Sequence, residues 1–183
     1  GERGREVGAF LRKLSPEARA RSVLVVASAD APPLAWLQAA QTATAIAEWF
    51  RADGQHALLV LDSLTRVARA ARSVGVAVGE PTTRRGFPVS LDRVIASLLE
   101  RAGNDAHGTL TALYTVLVEG DDALTDPVAE TARALLDGHW VLDPKRAQQG
   151  RFPAIAPELS ISRCALDILS PEMAATAKRV RAW

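Results

Sequence analysis

Residues 57–62 are Ala57-Leu58-Leu59-Val60-Leu61-Asp62, a short apolar run that ends in a carboxylate. Such a run predicts a buried parallel strand whose last residue emerges at the carboxyl edge of the sheet. Ligands of open α/β sheets bind at that edge. An Asp there, followed by the polar turn Ser63-Leu64-Thr65-Arg66, is suited to hold Mg²⁺ through its water shell. The alternative is that Asp62 or Ser63 only caps the next helix.

Composition narrows the class of protein. The chain has 183 residues with 22 Lys and Arg against 21 Asp and Glu, so its net charge gives no argument for a nucleic-acid or anionic-membrane partner. Its length predicts a single domain with a substantial core. The one cysteine, Cys164, excludes an internal disulfide, and no apolar run reaches the roughly 20 residues that span a bilayer. We therefore expect a cytoplasmic protein.

Strand-like and helix-like segments alternate along the chain. Continuous apolar strands between helices are typical of an α/β fold, with a mainly parallel sheet covered by helices on both faces. Between the break at Pro32-Pro33 and Gly54, one helix face carries Leu37, Ala40, Thr44, Ala47 and Phe50. Strands are predicted over residues 22–27, 57–62, 109–118 and 139–142, and further helices over 64–74, 91–102, 128–136 and 171–183.

Eight short stretches occur in the order in which a known family carries them. They are residues 1–6, 42–48, 61–66, 98–103, 114–122, 136–139, 152–155 and 160–163. With these stretches, the chain resembles the catalytic core of the type III secretion and flagellar export ATPases, relatives of the F-, V- and A-type rotary ATPase catalytic subunits. The run Val118-Glu119-Gly120-Asp121-Asp122 favours the export branch over the proton-pumping ATPases, without separating virulence secretion from flagellar export.

The resemblance implies a RecA-like P-loop NTPase core that hydrolyses ATP with Mg²⁺ at the subunit interfaces of a homo-hexamer. No Gly-x-x-x-x-Gly-Lys-[Ser/Thr] loop occurs in the sequence, so we expect a piece of a longer chain whose P-loop lies upstream. Residues 1–169 would form the partial ATPase domain, and residues 170–183 the start of a C-terminal helical region. Without the P-loop, this piece alone is expected to bind ATP weakly and to be inactive.

The resemblance also assigns roles at the predicted site. Glu2 matches the carboxylate that polarises the attacking water; otherwise it is a solvated Glu in a first helical turn. Arg3 would contact the γ-phosphate, or be a surface Arg. Asp62 becomes the water-mediated Mg²⁺ ligand, at the same sheet edge as Glu2. Phe152 matches an aromatic near the adenine, with a core Phe as the alternative.

Arg163 matches the family's arginine finger, which would act on the site of a neighbouring subunit from an exposed face. The alternative is an Arg that closes a strand and pairs with a local acid such as Asp167. In the Gly- and Pro-rich loop at 80–88, Arg84 and Arg85 would face a neighbouring subunit or the central channel, or be solvated.

The implied partners are stalk and regulator proteins, export chaperones and substrates, with peripheral association at the bacterial inner membrane and no nucleic acid. Two other classes remain open. A non-catalytic structural subunit is disfavoured by Glu2, because non-catalytic relatives usually lack that carboxylate. A RecA-like nucleic-acid motor needs a basic, aromatic-rich surface, which near-zero net charge and 5% aromatic residues do not provide.

Overall fold

The structure is a computed structural model that describes residues 4–118 and 126–181. The chain divides into two compact units, Gly1–Ala132 and Arg133–Trp183. Within the described residues, no helix combines the length and the apolar character that crossing a membrane requires. The helices are α1 Gly4–Lys13, α2 Pro16–Ala20, α3 Pro33–Ala52, α4 Leu64–Ala77, α5 Leu91–Leu99, α6 Pro127–Leu135, α7 Pro144–Gln148, α8 Ala165–Ile168 and α9 Pro171–Arg181, and the strands are β1 His56–Leu61, β2 Gly103–Asn104, β3 Thr109–Tyr114, β4 Gly138–His139 and β5 Ile161–Ser162.

The central element of the first unit is a sheet of order β1-β3-β2. Strands β1 and β3 pair in parallel, with a register that runs from His56 opposite Thr109 to Leu61 opposite Tyr114. On the other side of β3, β2 pairs antiparallel. The predicted strand over 57–62 is confirmed, and Asp62 follows directly after its last residue.

Two long helices form where the sequence predicts them. Helix α3 begins with Pro33 in its first turn and buries Ala40, Thr44 and Ala47, the small side chains of the predicted face. Helix α4 begins after Ser63, whose side chain accepts a hydrogen bond from the N–H of Arg66 at 3.4 Å. Ser63 therefore supplies the helix cap, and the carboxylate of Asp62 stays available for another role.

The core lies on one face of the sheet. Leu59 and Leu61 of β1 and Leu110 of β3 are buried there, together with side chains of α3, α4 and α5. On the opposite face, Leu58 and Val60 are 62% and 61% exposed. Ala40 of α3 and Val67 of α4 join one core cluster with Leu61, so both helices pack on this side, and a helix layer on the other face stays a prediction.

Two of the four predicted strands are wrong as members of one sheet. In the described part of the chain, no ladder joins residues 22–27 to another strand, and Val23, Leu24 and Val26 are exposed. The segment predicted at 139–142 is reduced to β4, which pairs antiparallel with β5 in a separate two-stranded sheet. Apolar, β-branched composition favours an extended backbone, but a strand also needs a neighbour to share its hydrogen bonds.

An ion pair joins α3 to the end of α5. The guanidinium of Arg101 donates two hydrogen bonds to the carboxylate of Glu48, from Nε at 2.8 Å and from Nη2. Arg51, one turn further along α3, donates to the carbonyls of Arg101 and Gly103 at 3.1 and 3.0 Å. These contacts fix the connection that leads from α5 into β3.

The hydrogen bonds from Arg101 hold the pKa of Glu48 below its ordinary value. Above the unfolded-state pKa of about 4.3, the pair therefore contributes its full stabilisation, which is lost as the pH falls through the lower folded-state pKa. We expect Glu48→Gln to reduce the free energy of unfolding by about 1 kcal/mol at neutral pH, since both side chains are partly exposed. The difference from the wild-type chain should shrink below about pH 4.

Denaturant unfolding at several pH values checks this, with Arg101→Gln and the double variant completing a mutant cycle. A difference between wild type and Glu48→Gln that stays constant from neutral to acid pH would contradict the assignment.

Candidate functional site

The carboxyl ends of β1 and β3 bring Asp62 and Thr115 together. Because Leu61 lies opposite Tyr114, the next residues along the two parallel strands are Asp62 and Thr115. The hydroxyl of Thr115 donates a hydrogen bond to Oδ1 of Asp62 at 2.5 Å. Asp62 is exposed, whereas the adjoining Ser63 is buried. A carboxylate is thus held by one oxygen at the sheet edge where ligands of α/β proteins bind.

The segment after β3 is fastened to the turn that carries Asp62. The N–H of Thr115 donates to the carbonyl of Leu61 at 3.1 Å, and the N–H of Leu64 donates to the carbonyl of Thr115 at 2.9 Å. Beyond it, the hydroxyl of Thr65 donates to the carbonyl of Leu117 at 3.1 Å and accepts from its N–H at 2.8 Å. The chain from 115 to 117 therefore follows the first turn of α4, although β3 itself ends at Tyr114 rather than at the predicted residue 118.

Tyr114 anchors this end of β3 to the core. Its hydroxyl donates to the carbonyl of Leu98 in α5 at 3.3 Å, and burial raises the pKa of the phenol. The residue immediately before Thr115 is therefore fixed by its side chain as well as by the strand ladder.

The donor set at this edge fits a magnesium ion that is held mainly by water and phosphate. Asp62 supplies one hard carboxylate, and the described residues contain no group of three or more acidic, His or Cys side chains that could form a protein-only metal site. Mg²⁺ characteristically keeps several waters and binds one or two carboxylates together with substrate phosphates. Asp62 matches that pattern, because it is a single exposed carboxylate and Thr115 binds only one of its two oxygens.

Phe152 is not a core residue. Its side chain is 76% exposed, in the connection between α7 and β5. The alternative of a buried Phe is therefore wrong, and the ring is open to stacking by a planar ligand.

Arg163 follows β5 and contacts the end of α6. Its Nη2 donates to the carbonyls of Arg133 and Ala134 at 3.0 and 3.1 Å, and its N–H donates to the carbonyl of Asp137 at 2.7 Å. A cation at a helix C-terminus donates hydrogen bonds to carbonyls that lack a partner within the helix, and it interacts favourably with the helix dipole. The residue is exposed as predicted, but the suggested pairing with Asp167 is wrong: within the described residues, its guanidinium binds main-chain carbonyls.

The loop arginines pair with the start of α6. Arg84 Nη2 lies 2.9 Å from Glu130, and Arg85 Nη1 lies 3.1 Å from Oδ2 of Asp126. The other oxygen of Asp126 accepts from the N–H groups of Val128 and Ala129, both at 3.0 Å, and so caps α6. Arg85 therefore contributes to holding the loop against α6, whereas Arg84 stays largely solvated in its ion pair with Glu130.

Glu2 and Arg3 lie outside the described residues, so their predicted positions at the same edge as Asp62 stay predictions. Of the remaining predicted site residues, Asp62 belongs to the first unit, and Phe152 and Arg163 belong to the second.

Comparison with known proteins assigns the chain to a family. Residues 1–162 match the model of the ATP synthase alpha/beta family, nucleotide-binding domain. The chain belongs to this family. It is 50% identical to the flagellum-specific ATP synthase of Bacillus subtilis (strain 168) over 182 residues, which are 99% of this chain and 41% of that protein. It is 55% identical to the type 3 secretion system ATPase of Pseudomonas syringae pv. tomato (strain ATCC BAA-871 / DC3000), over 89% of this chain and 36% of that protein.

Solved structures of type III secretion ATPases share its fold. A prototypical ATPase from the type III secretion system of pathogenic bacteria matches with a TM-score of 0.92 at 47% identity, over 99% of this chain and 52% of that one. The assembled ATPase EscN in complex with its central stalk EscO, from enteropathogenic E. coli, matches with a TM-score of 0.88 at 44% identity, over 100% of this chain and 43% of that one. The chain therefore has the α/β, P-loop NTPase fold of these ATPases. It spans 36–41% of the two named relatives and 43–52% of the two solved chains.

Thr115 is the site residue that sequence reasoning missed. It stands inside a family-like stretch, 114–122, but the sequence pattern predicts only that it belongs to a strand over 109–118. The signal that could have found it is the pairing of two parallel runs: aligning the polar residues that follow Leu61 and Tyr114 places Asp62 beside Thr115.

The two loop arginines should differ in their effect on stability. Asp126 is buried, so Arg85→Met would leave a buried carboxylate without its cation and should lower the free energy of unfolding by roughly 2 kcal/mol. Arg84 and Glu130 are both largely exposed, so Arg84→Met should cost about 0.5 kcal/mol or less. Methionine retains most of the apolar stem in both cases. Urea unfolding measures the free energy of unfolding of both variants. Equal losses of free energy would show that the burial of Asp126 does not determine the effect of Arg85→Met.

Proposed function

We propose that the chain is part of the ATP-hydrolysing subunit that energises protein export through a type III secretion or flagellar export apparatus. The observation that carries the proposal is the exposed carboxylate of Asp62, held beside Thr115 where two parallel strands end. The names of the relatives, at 50–55% identity over most of the chain, support the same reaction class.

The parent would contain a complete RecA-like core. In this proposal, residues 1–169 form the later part of that core, the P-loop lies upstream, and residues 170–183 begin a C-terminal helical region. The fractions of the relatives that the chain spans, 41% and 36%, leave room for such segments. Helix α9 supports a helical start to the last region.

Each predicted residue has a chemical task at the site. Asp62 would hold Mg²⁺ through its water shell, with one oxygen fixed by Thr115 and the other accepting from a metal-bound water. Mg²⁺, when bound with ATP, neutralises charge on the β- and γ-phosphate oxygens. Glu2 would polarise the attacking water, and Arg3 would contact the γ-phosphate. The exposed ring of Phe152 would stack near the adenine.

Arg163 would act on the site of a neighbouring subunit. Its exposed guanidinium binds two carbonyls at the end of α6, so reaching a neighbour exchanges these bonds for charge-assisted bonds to phosphate oxygens. Supplying this cation from a neighbour makes hydrolysis depend on assembly.

The parent would work as a cytoplasmic homo-hexamer at the inner membrane. The assembled relative with its central stalk supports a ring and a stalk partner for this chain as well. Regulators, export chaperones and exported substrates complete the proposed set of partners, without nucleic acid.

Mixed hexamers of the full-length parent test the proposed reaction and the role of Arg163 together. Glu2→Gln should leave ATP binding largely intact and lower turnover by about a few hundredfold, since one transition-state interaction at a preorganised site is lost. Arg163→Ala should also be inactive. When the two variants are co-assembled, interfaces that pair an intact Glu2 with an intact Arg163 should recover part of the activity.

Arg151→Ala is the matched control, because Arg151 is also an exposed arginine of the second unit, and it should retain wild-type turnover. Wild-type turnover in Glu2→Gln would remove Glu2 from the mechanism. Absence of recovery in demonstrably mixed hexamers would remove the action of Arg163 on the neighbour.

A further inference from the structure

We propose that Thr115 is the positioning residue that orients the carboxylate of Asp62 toward the metal, an inference that rests on the proposed ATPase function. The bond from the Thr115 hydroxyl to Oδ1 of Asp62 is charge-assisted, and it is the one polar contact that the described residues give this carboxylate. An exposed Asp side chain without it would rotate between several rotamers.

The position of the Thr115 hydroxyl is itself fixed by the main chain. Thr115 accepts from the N–H of Leu64 and donates its own N–H to Leu61, so its backbone is bound to residues on both sides of Asp62. Tyr114 before it is anchored to the carbonyl of Leu98. A hydroxyl on a backbone held at these points can impose a direction on the carboxylate that it contacts.

Thr65 keeps the following residues in place. Its hydroxyl is buried in α4 and binds both the carbonyl and the N–H of Leu117. The strand end at 115 and the helix start at 64 and 65 therefore form one hydrogen-bonded unit around the Asp62 turn. Thr115 is the member of this unit whose side chain reaches the carboxylate.

This arrangement predicts a specific effect on magnesium. Removing a group that hydrogen-bonds a direct metal ligand typically lowers metal affinity by about 10- to 100-fold; because Asp62 would reach Mg²⁺ through water, we expect about 10-fold or less for Thr115. Thr115→Val keeps the shape of the side chain and removes the hydroxyl. In this variant, Asp62 should lose orientation while the strand ladder and the hydrogen bonds of the Thr115 main chain remain.

The test uses the full-length parent and a fluorescent ATP analogue, whose dissociation constant is measured in Mg²⁺ and in EDTA. Thr115→Val should weaken binding in Mg²⁺ by about 3- to 10-fold and leave binding in EDTA unchanged. Thr115→Ser retains the hydroxyl and should restore the wild-type Mg²⁺ dependence. Thr111→Val is the matched control, because Thr111 is an exposed threonine of the same strand; it should bind as wild type does.

Asp62→Asn separates this inference from the proposed function. If Asp62→Asn loses the Mg²⁺-dependent affinity while Thr115→Val keeps it, the positioning role is wrong and the metal site stands. If neither variant changes it, both the metal site and the positioning role fall. Should Thr115→Val unfold, Thr115→Ala is measured in the same way. Equal losses in Mg²⁺ and EDTA, or a Thr115→Ser variant as weak as Thr115→Val, would show a merely structural role and overturn the inference.

Discussion

The parallel hydrogen-bond ladder between β1 and β3 is the constraint on which the site depends. It sets the register that places Asp62 next to Thr115. A shift of either strand by one residue would turn the side chains of that strand to the other face and separate the two residues. Helices α3, α4 and α5 stabilise the ladder by packing on Leu59, Leu61 and Leu110. The ion pair between Glu48 and Arg101 then secures the connection that enters β3. The position of the Asp62 carboxylate at the sheet edge therefore depends on the packing of these helices against one face of the sheet.

Helices and strands that are determined by the pattern of their own residues could be predicted from the sequence. The apolar run of β1, the small-residue face of α3 and the Ser63 cap of α4 each follow from local pattern, and the structure has them where the sequence predicts them. The segment 22–27 has the composition of a strand without a ladder in the described residues, because pairing depends on residues distant in sequence. The same reason hid Thr115, whose importance appears only when two strands are aligned.

The identity of an arginine in the sequence does not indicate which groups it contacts. Arg84, Arg85 and Arg163 each looked like free cations that could serve a neighbouring subunit, and each has contacts of its own chain in the structure. For Arg85 the partner is a buried carboxylate that also caps α6, so its role in the chain is structural. For Arg163 the partners are surface carbonyls, which water can replace at little cost. A structural role within one chain and a catalytic role across an interface are therefore compatible for Arg163.

In the proposed site, Asp62 holds the magnesium of the nucleotide from the end of β1. The most direct measurement is a high-resolution structure of the full-length parent with Mg²⁺ and a non-hydrolysable ATP analogue. We expect the ion to lie one water molecule from the free oxygen of Asp62, with the Thr115 hydroxyl still bonded to the other oxygen. An ion that contacts neither Asp62 nor a water bound to it, with the nucleotide phosphates away from the carboxyl ends of β1 and β3, would contradict the proposed role of Asp62.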